Sequence, residues 1–322
     1  MRSNRRRVTV TTGYLHAGGA AERLLLDAGF DVQYSSEVLR RGTRTPLREQ
    51  VRRSDALILG TEPLTAADLT SVEGLQIVAR TGAGYDNVDL AAASAQGIVV
   101  CNTPGANEQS VVELTLGLLL SLARDLPANI TATARAEWNQ GSGVELAGAT
   151  LGVVGVGKIG RSVARSAAAL GMSVIGYDPW VSAQVMADAG VRSVTLDNLL
   201  AQSDFVSLHL ALTDDTRNLI GHDALRRMKK SAFLVNTSRG GVVNEHDLVR
   251  ALDSGQIAGA ALDVIECEPI APSDPLLRAP NLLLTAHIAG ATAQARRRME
   301  TCAAQQVIDF FAGRAPVNRV NG

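Results

Sequence analysis

Gly155, Gly157 and Gly160 stand in the order GxGxxG within TLGVVGVGKIGRSVARSAAALGMSVIGYDP, directly after an apolar run and at the start of a helical one. Alone the glycine pattern is weak; strand before and helix after make it specific. The first glycine permits a tight turn, the second lets backbone approach a pyrophosphate, and the third lets the helix sit close to the strand. Amides at the helix start, here those of Lys158 and Ile159, then face the phosphates with the positive end of the helix dipole behind them. Asp178 closes the next strand, where a carboxylate accepts from both ribose hydroxyls of an adenosine and repels a 2′-phosphate. Pro179, Trp180, Val181 and Ser182 bring no cation for such a phosphate, so NAD is expected rather than NADP. The plainer reading is a glycine-rich turn without a ligand.

Three further segments end apolar runs with reactive groups: FLVNTSRGGVV with Arg239, AALDVIECEP with Asp263 and Glu268, and LLLTAHIAG with His287. A guanidinium offers a planar fork of donors that fits a carboxylate, and an imidazole exchanges protons near neutral pH. Residues just past the carboxyl ends of parallel strands gather where ligands bind. Singly, each has a bland reading: Arg239 pairs with a surface carboxylate, Glu268 is solvated before Pro269, Asp263 caps a loop, and His287 fills a core.

Two series of short β-rich runs, interleaved with helical stretches, must position these groups. VTVTT (8–12), DVQYS (31–35), ALILG (56–60), LQIVAR (75–80) and IVVCN (98–102) form the first. TLGVVGV (150–156), SVIGYD (173–178), FVSLHL (205–210), AFLVN (232–236), IAGAALDV (257–264) and LLLTA (282–286) form the second. Continuous apolar strands separated by helices predict parallel sheets covered on both faces. Between the series, NEQSVVELTLGLLLSLARDLP predicts a helix apolar almost all round. Such a helix asks for burial on every side, at a domain boundary or subunit interface, so a homodimer is expected. The alternative is a core helix inside one domain.

A chain of 322 residues exceeds one core, and 46% hydrophobic with 20% charged residues is ordinary globular composition, so two domains are expected. A net charge of -1 and a pI near 6.5 offer no general attraction for nucleic acid or anionic lipid. The start MRSNRRRVTV has four arginines in seven residues and reads as a solvated tail, with no apolar segment behind it. LTLGLLLSLA, Leu114 to Ala123, lies between Glu113 and Arg124 and is too short to span a bilayer. Cys101, Cys267 and Cys302 are odd in number and form no CxxC pair, so neither a disulfide framework nor a metal site is indicated. A reducing cytoplasm fits them, and Cys267 reads as a passive thiol.

RTGAGYDNVDL, NTPGANEQSVVEL, GVGKIG, SLHLALT, NTSRGGVVNE, AALDVIECEP and TAHIAGAT, in this order, resemble the D-isomer-specific 2-hydroxyacid dehydrogenase family. That family includes D-3-phosphoglycerate dehydrogenase and glyoxylate/hydroxypyruvate reductase, and the likeness runs from about Val8 to Asn318. Ala286 stands where the family usually has Pro and Asn244 where it often has Asp, and neither change removes a reacting group. The resemblance implies an α/β fold: a Rossmann-type doubly wound parallel sheet domain of residues 103–290, inserted into a smaller flavodoxin-like α/β substrate domain of 1–102 plus 291–322. The site is expected in the cleft between them.

Residue by residue, the resemblance implies that Arg239 clamps the substrate's carboxylate and C2 oxygen, that His287 is the acid/base, and that Glu268 fixes the imidazole tautomer. Thr237, Ser238, Asp263, Ala289 and Gly290 join the cofactor-binding set, and the amides of Ala83 and Gly84 hold the substrate carboxylate. Gly60, Thr61 and Glu62 are expected to face whatever hangs from C3, with Arg80 the nearby cation. An arginine is common in this stretch among phosphoglycerate dehydrogenases, so the acidic Glu62 weakens that reading. His209 reads as a packing or adenosine-side residue, and His16, His222 and His246 receive no role. The implied activity is NAD-dependent interconversion of a D-2-hydroxy acid and a 2-oxo acid. The alternatives on this fold are an NAD(H)-sensing corepressor-type protein and a phosphite dehydrogenase.

Overall fold

Valine, leucine, isoleucine and alanine build two all-parallel sheets in a computed structural model that describes residues 5–15, 17–35 and 47–322. The first four residues of the arginine-rich start, and His16, lie outside the described residues. The chain divides into one unit of Met1–Glu108 with Gly290–Gly322 and another of Gln109–Ala289. The divisions thus follow Glu108 and Ala289, where residues 102 and 290 were expected.

In the first unit β1 (Arg7–Val10), β2 (Asp31–Tyr34), β3 (Ala56–Leu59), β4 (Ile77–Arg80) and β5 (Val99–Cys101) pair in the order β2-β1-β3-β4-β5. This is the flavodoxin strand order. Its central strands β3 and β4 are buried at every position. Because side chains alternate along a strand, Ile58 joins Val8, Val10 and Leu25 on one face, while Leu57 and Leu59 join Leu69 and Val100 on the other. Helix Ala293–Phe311 covers the first face with Ala303, Ala304 and Val307. The buried Asn321 side chain then accepts from the Val100 amide (2.7 Å) and donates to the Ile98 carbonyl (2.7 Å), pinning the chain end to β5.

The second unit holds β6 (Thr150–Val154), β7 (Ser173–Tyr177), β8 (Arg192–Ser193), β9 (Phe205–Leu208), β10 (Phe233–Asn236), β11 (Gly259–Leu262) and β12 (Leu282–Leu284). They pair in the order β12-β11-β10-β9-β6-β7-β8, a doubly wound Rossmann-type sheet whose direction of winding reverses between β6 and β9. Two cores sandwich it, one around Leu208, Leu234 and Leu262, the other around Val153, Phe205 and Val235. Edge strand β8 has two exposed residues and no apolar run that would mark it in the sequence.

Helix Glu108–Ala123 departs from the expected all-round burial. Leu118, Leu119 and Leu122 are buried, but Glu113, Gly117 and Leu120 form an exposed stripe at helical spacing. The next helix, Leu126–Ala134, has no buried residue in the single chain.

Candidate active site

In the second unit, the turn from β6 into helix Lys158–Ala169 gives each glycine a separate physical reason. Gly155 has φ +89, and a Cβ there would stand 2.5 Å from the His209 carbonyl oxygen. A Cβ at Gly160 would stand 2.1 Å from the Gly155 carbonyl oxygen, so only glycine lets this helix approach its strand so closely. Gly157 differs: nothing lies within 4 Å of the position its Cβ would take. It is the helix N-cap and offers no side-chain cap, so the first-turn amides remain open. An uncapped N-terminus behind an open glycine fits a pyrophosphate.

Asp178 follows β7 and turns its carboxylate back to this loop. Oδ2 accepts from the Val156 amide and Oδ1 from the Trp180 amide, each at 2.8 Å. Each oxygen keeps further acceptor capacity for a ribose hydroxyl.

Strands β10, β11 and β12 are neighbours in register, with Asn236 opposite Leu262 and Leu262 opposite Leu284. Arg239 lies three residues beyond Asn236 and His287 three beyond Leu284, while Asp263 directly follows Leu262. The sheet therefore places these groups at the carboxyl ends of adjacent strands.

The Arg239 loop is held by Asn236, whose Nδ2 donates to the Arg239 carbonyl (2.8 Å) and whose Oδ1 accepts from the Ser238 amide (3.0 Å) and hydroxyl (2.7 Å). Thr237 is buried with its hydroxyl 2.9 Å from that of Thr115. A Cβ on Gly240 would stand 2.0 Å from the Ile265 carbonyl oxygen, so glycine lets this loop close on the segment leading to Glu268.

Glu268 Oε2 stands 2.8 Å from His287 Nδ1. A carboxylate only accepts, so Nδ1 carries the proton and Nε2 is left for other work. Glu268 Oε1 is braced by the Ile265 amide at 3.3 Å. His287 has φ +51, a left-handed conformation uncommon for a residue with a side chain. Asp263 holds it there. This buried carboxylate accepts from the Thr285 hydroxyl (2.6 Å) and the Ile288 amide (2.8 Å) at Oδ1, and from the Ala289 amide (2.9 Å) at Oδ2. Its main-chain oxygen accepts the His287 amide at 2.8 Å. Asp263 therefore braces the histidine turn, a function that the residue's type alone did not reveal.

The remaining residues sit in the first unit. Gly82, with φ +130, exchanges hydrogen bonds with Thr103, and Asn102 Nδ2 donates to the Ala83 carbonyl at 2.6 Å. Among the described residues the amides of Ala83 and Gly84 donate to nothing. Gly290 lies against Asn107, whose Nδ2 would be 3.2 Å from a Cβ there. Asn236, Thr115, Gly240 and Thr285 are the positioning residues that sequence reasoning passed over. Asn236, Gly240 and Thr285 lie within the family-like motifs, whereas Thr115 stands among the leucines of an apolar helix, where nothing in the sequence marks it.

Residues 116–289 match the family model for the D-isomer specific 2-hydroxyacid dehydrogenase, NAD binding domain. A glyoxylate reductase of Korarchaeum cryptofilum is 42% identical over 85% of this chain and 84% of its own length. A D-3-phosphoglycerate dehydrogenase of Methanocaldococcus jannaschii is 40% identical over 87% of this chain, which spans about half, 54%, of that protein. The crystal structure of D-lactate dehydrogenase from Aquifex aeolicus, complexed with NAD and lactic acid, superposes with a TM-score of 0.86 at 27% identity, covering 98% of this chain and 99% of that one. A doubly wound nucleotide domain with these strand-end groups defines an NAD-binding oxidoreductase. The chain belongs to the D-isomer specific 2-hydroxyacid dehydrogenase family.

Proposed function

We propose that this protein is an NAD-dependent dehydrogenase that interconverts a D-2-hydroxy acid and a 2-oxo acid. NAD, when bound, supplies the hydride acceptor or donor for C2. Gly155, Gly157 and Gly160 with the Lys158 and Ile159 amides would hold its phosphates and Asp178 its ribose, with Thr237, Ser238, Asp263, Ala289 and Gly290 completing the set. The similarity to glyoxylate reductase and D-3-phosphoglycerate dehydrogenase supports a small acid as substrate.

Arg239 takes the acid's carboxylate and C2 oxygen, holding both with one rigid fork of donors. His287 delivers a proton from Nε2 to the C2 oxygen during reduction and removes it during oxidation. Glu268 keeps Nδ1 protonated, so the ring presents one nitrogen in one tautomer. In the first unit, the unbonded amides of Ala83 and Gly84 are of the kind that hold a carboxylate. The observation that carries this reading is the 2.8 Å contact between His287 Nδ1 and Glu268 Oε2.

The test is NADH consumption by the whole protein with glyoxylate, pyruvate, hydroxypyruvate and phosphohydroxypyruvate. At least one should turn over, and Arg239→Ala should lower kcat/KM for it by about 10²-fold or more. NADH binding without turnover across the panel would reject the enzyme in favour of a sensing protein.

The same reading includes a homodimer. Leu120 and Leu126 are each 42% exposed, Ile130 64% and Trp138 84%, an apolar succession suited to a second copy. Light scattering on the purified protein should give twice the chain mass; a monomer at micromolar concentration would refute it. Cys101, Cys267 and Cys302 are free thiols, which suits a reducing cytoplasm. Among the described residues no helix is long and apolar enough to cross a membrane.

A further inference from the structure

Within the second unit, the segment that carries Glu268 is tied down by a carboxylate that no step above employs. Glu268 lies beyond the end of β11, in a stretch from Asp263 onward that belongs to neither helix nor strand. Backbone without a ladder must find its hydrogen bonds elsewhere. The Glu266 amide donates to Glu245 Oε1 at 2.6 Å. One residue earlier, the Ile265 amide donates to Glu268 Oε1 at 3.3 Å, and Glu268 Oε2 then meets His287 Nδ1 at 2.8 Å. A chain of contacts thus leads from Glu245 through one peptide unit to the imidazole.

The same peptide unit abuts the Arg239 loop. A Cβ on Gly240, the residue directly after Arg239, would stand 2.0 Å from the Ile265 carbonyl oxygen and 2.6 Å from the Glu266 nitrogen. Whatever fixes this peptide therefore fixes the guanidinium loop against the segment of the acid. Arg217 contributes only an exposed pair, Nη1 to Glu266 Oε1 at 2.9 Å, which restrains the side chain and carries little weight.

Glu245 is more than a favourable charge at a helix start. It is the first residue of helix Glu245–Asp253, where an acid commonly faces solvent and favours the helix dipole. Here it is half-buried, and burial pushes its pKa up, with the charges of Asp274 and Glu266 acting in the same direction against the pull of the Glu266 amide and His246. Asp247 already places an acid in that first turn, and Asn244 caps it by accepting from the Asp247 amide at 3.0 Å. The helix start has its cap and its charge without Glu245. The Glu266 amide has no other acceptor among the described residues.

We propose that Glu245 is a positioning residue: by holding the Glu266 amide it sets the Ile265–Glu266 peptide, and with it the place of Glu268 behind His287. What it supplies is an acceptor at one point, not a charge. This inference rests on the dehydrogenase reading and adds to it a residue that acts through Glu268.

The experiment measures kcat for a 2-oxo acid that the parent turns over, NADH affinity, and hydrogen exchange at the Glu266 amide of the whole protein. Glu245→Ala should lower kcat by about tenfold or more and speed that exchange by about tenfold or more, with NADH affinity held within about twofold. Glu245→Gln loses the charge but keeps Oε1, and should keep both kcat and exchange within about twofold of the parent. Glu245→Asp keeps the charge but draws the acceptor back by one methylene, and should lose kcat as the alanine variant does, which preserves the test if Glu245→Ala folds poorly. Added to Glu268→Gln, Glu245→Ala should lower kcat by less than about twofold further, because both act at the same imidazole. A glutamine variant as impaired as the alanine one, an unaltered kcat in Glu245→Ala and Glu245→Asp, or losses that multiply with Glu268→Gln would each overturn the proposal while parent turnover keeps the dehydrogenase reading intact. No turnover of any 2-oxo acid by the parent would overturn both.

Discussion

Asp263 and Thr285 are joined by a 2.6 Å hydrogen bond between carboxylate and hydroxyl, one of three bonds by which this buried acid braces the turn that carries His287. Asp263→Ala leaves two amides and a hydroxyl without their acceptor and should destabilise the protein by about 3 kcal/mol. Thr285→Val removes one bond and should cost about 1 kcal/mol, with kcat falling more than KM rises because the histidine loses its fixed position. Urea unfolding and steady-state kinetics on both variants check this. Equal stability of Asp263→Ala and the parent would show that the brace carries no weight.

Two glycines separated by three positions should respond in opposite ways. Gly160→Ala drives a methyl group into the Gly155 carbonyl and should cost about 1–3 kcal/mol of stability as well as cofactor affinity. Gly157→Ala meets open space and should leave the unfolding midpoint nearly unchanged, while weakening NADH binding because the methyl occupies the approach to the amides. Melting curves with NADH fluorescence titrations separate the two effects. Gly157→Ala with unaltered NADH affinity would mean the phosphates lie elsewhere.

His209 closes β9 with Nε2 2.9 Å from the Ser207 hydroxyl and a buried Nδ1 that has no partner among the described residues. Burial pulls its pKa from 6.5 down to about 4. Between those values the folded protein keeps the ring neutral while an unfolded chain binds the proton, so the unfolded state holds more protons there. This group's contribution is whole above pH 6.5 and is lost as pH falls towards 4, by up to about 3 kcal/mol. His209→Asn should therefore flatten the fall in unfolding free energy across that window. Parallel curves for variant and parent would contradict it.

The three thiols should react in a fixed order. Cys101, buried at the end of β5, has its pKa pushed up to about 12 by burial, and burial raises Cys302 as well, whereas Cys267 is exposed. Alkylation of the native protein followed by peptide mass analysis should find Cys267 modified first and Cys101 only after unfolding. Early modification of Cys101 would show that this end of the first sheet opens readily.

Much of the frame is legible in the residues themselves. Apolar runs such as ALIL and FLVN marked both sheets, because strands covered on both faces need every side chain to be apolar. The glycine turn was equally plain, since each glycine answers a separate constraint. Strand β8 escaped because two exposed residues at an edge have no pattern to show. The many leucines of helix Glu108–Ala123 point to burial all round, and only the folded chain shows the exposed Glu113, Gly117 and Leu120 stripe. Contacts such as Thr115 with Thr237, 122 positions apart, leave no mark in a single chain and follow only from the folded backbone. The same holds for Glu62, whose acidity is visible in the sequence while its burial is not.

The return of Ala293–Phe311 to the first sheet sets a timetable for biosynthesis. Val8, Val10 and Leu25 leave the ribosome well before the residues that shield them, Ala303, Ala304 and Val307. The nucleotide-binding half has its whole sequence available earlier and can fold during translation, while the amino-terminal half waits with an apolar flank uncovered. Chaperone engagement of nascent chains should accordingly concentrate on that waiting half and fall once Ala293–Phe311 emerges.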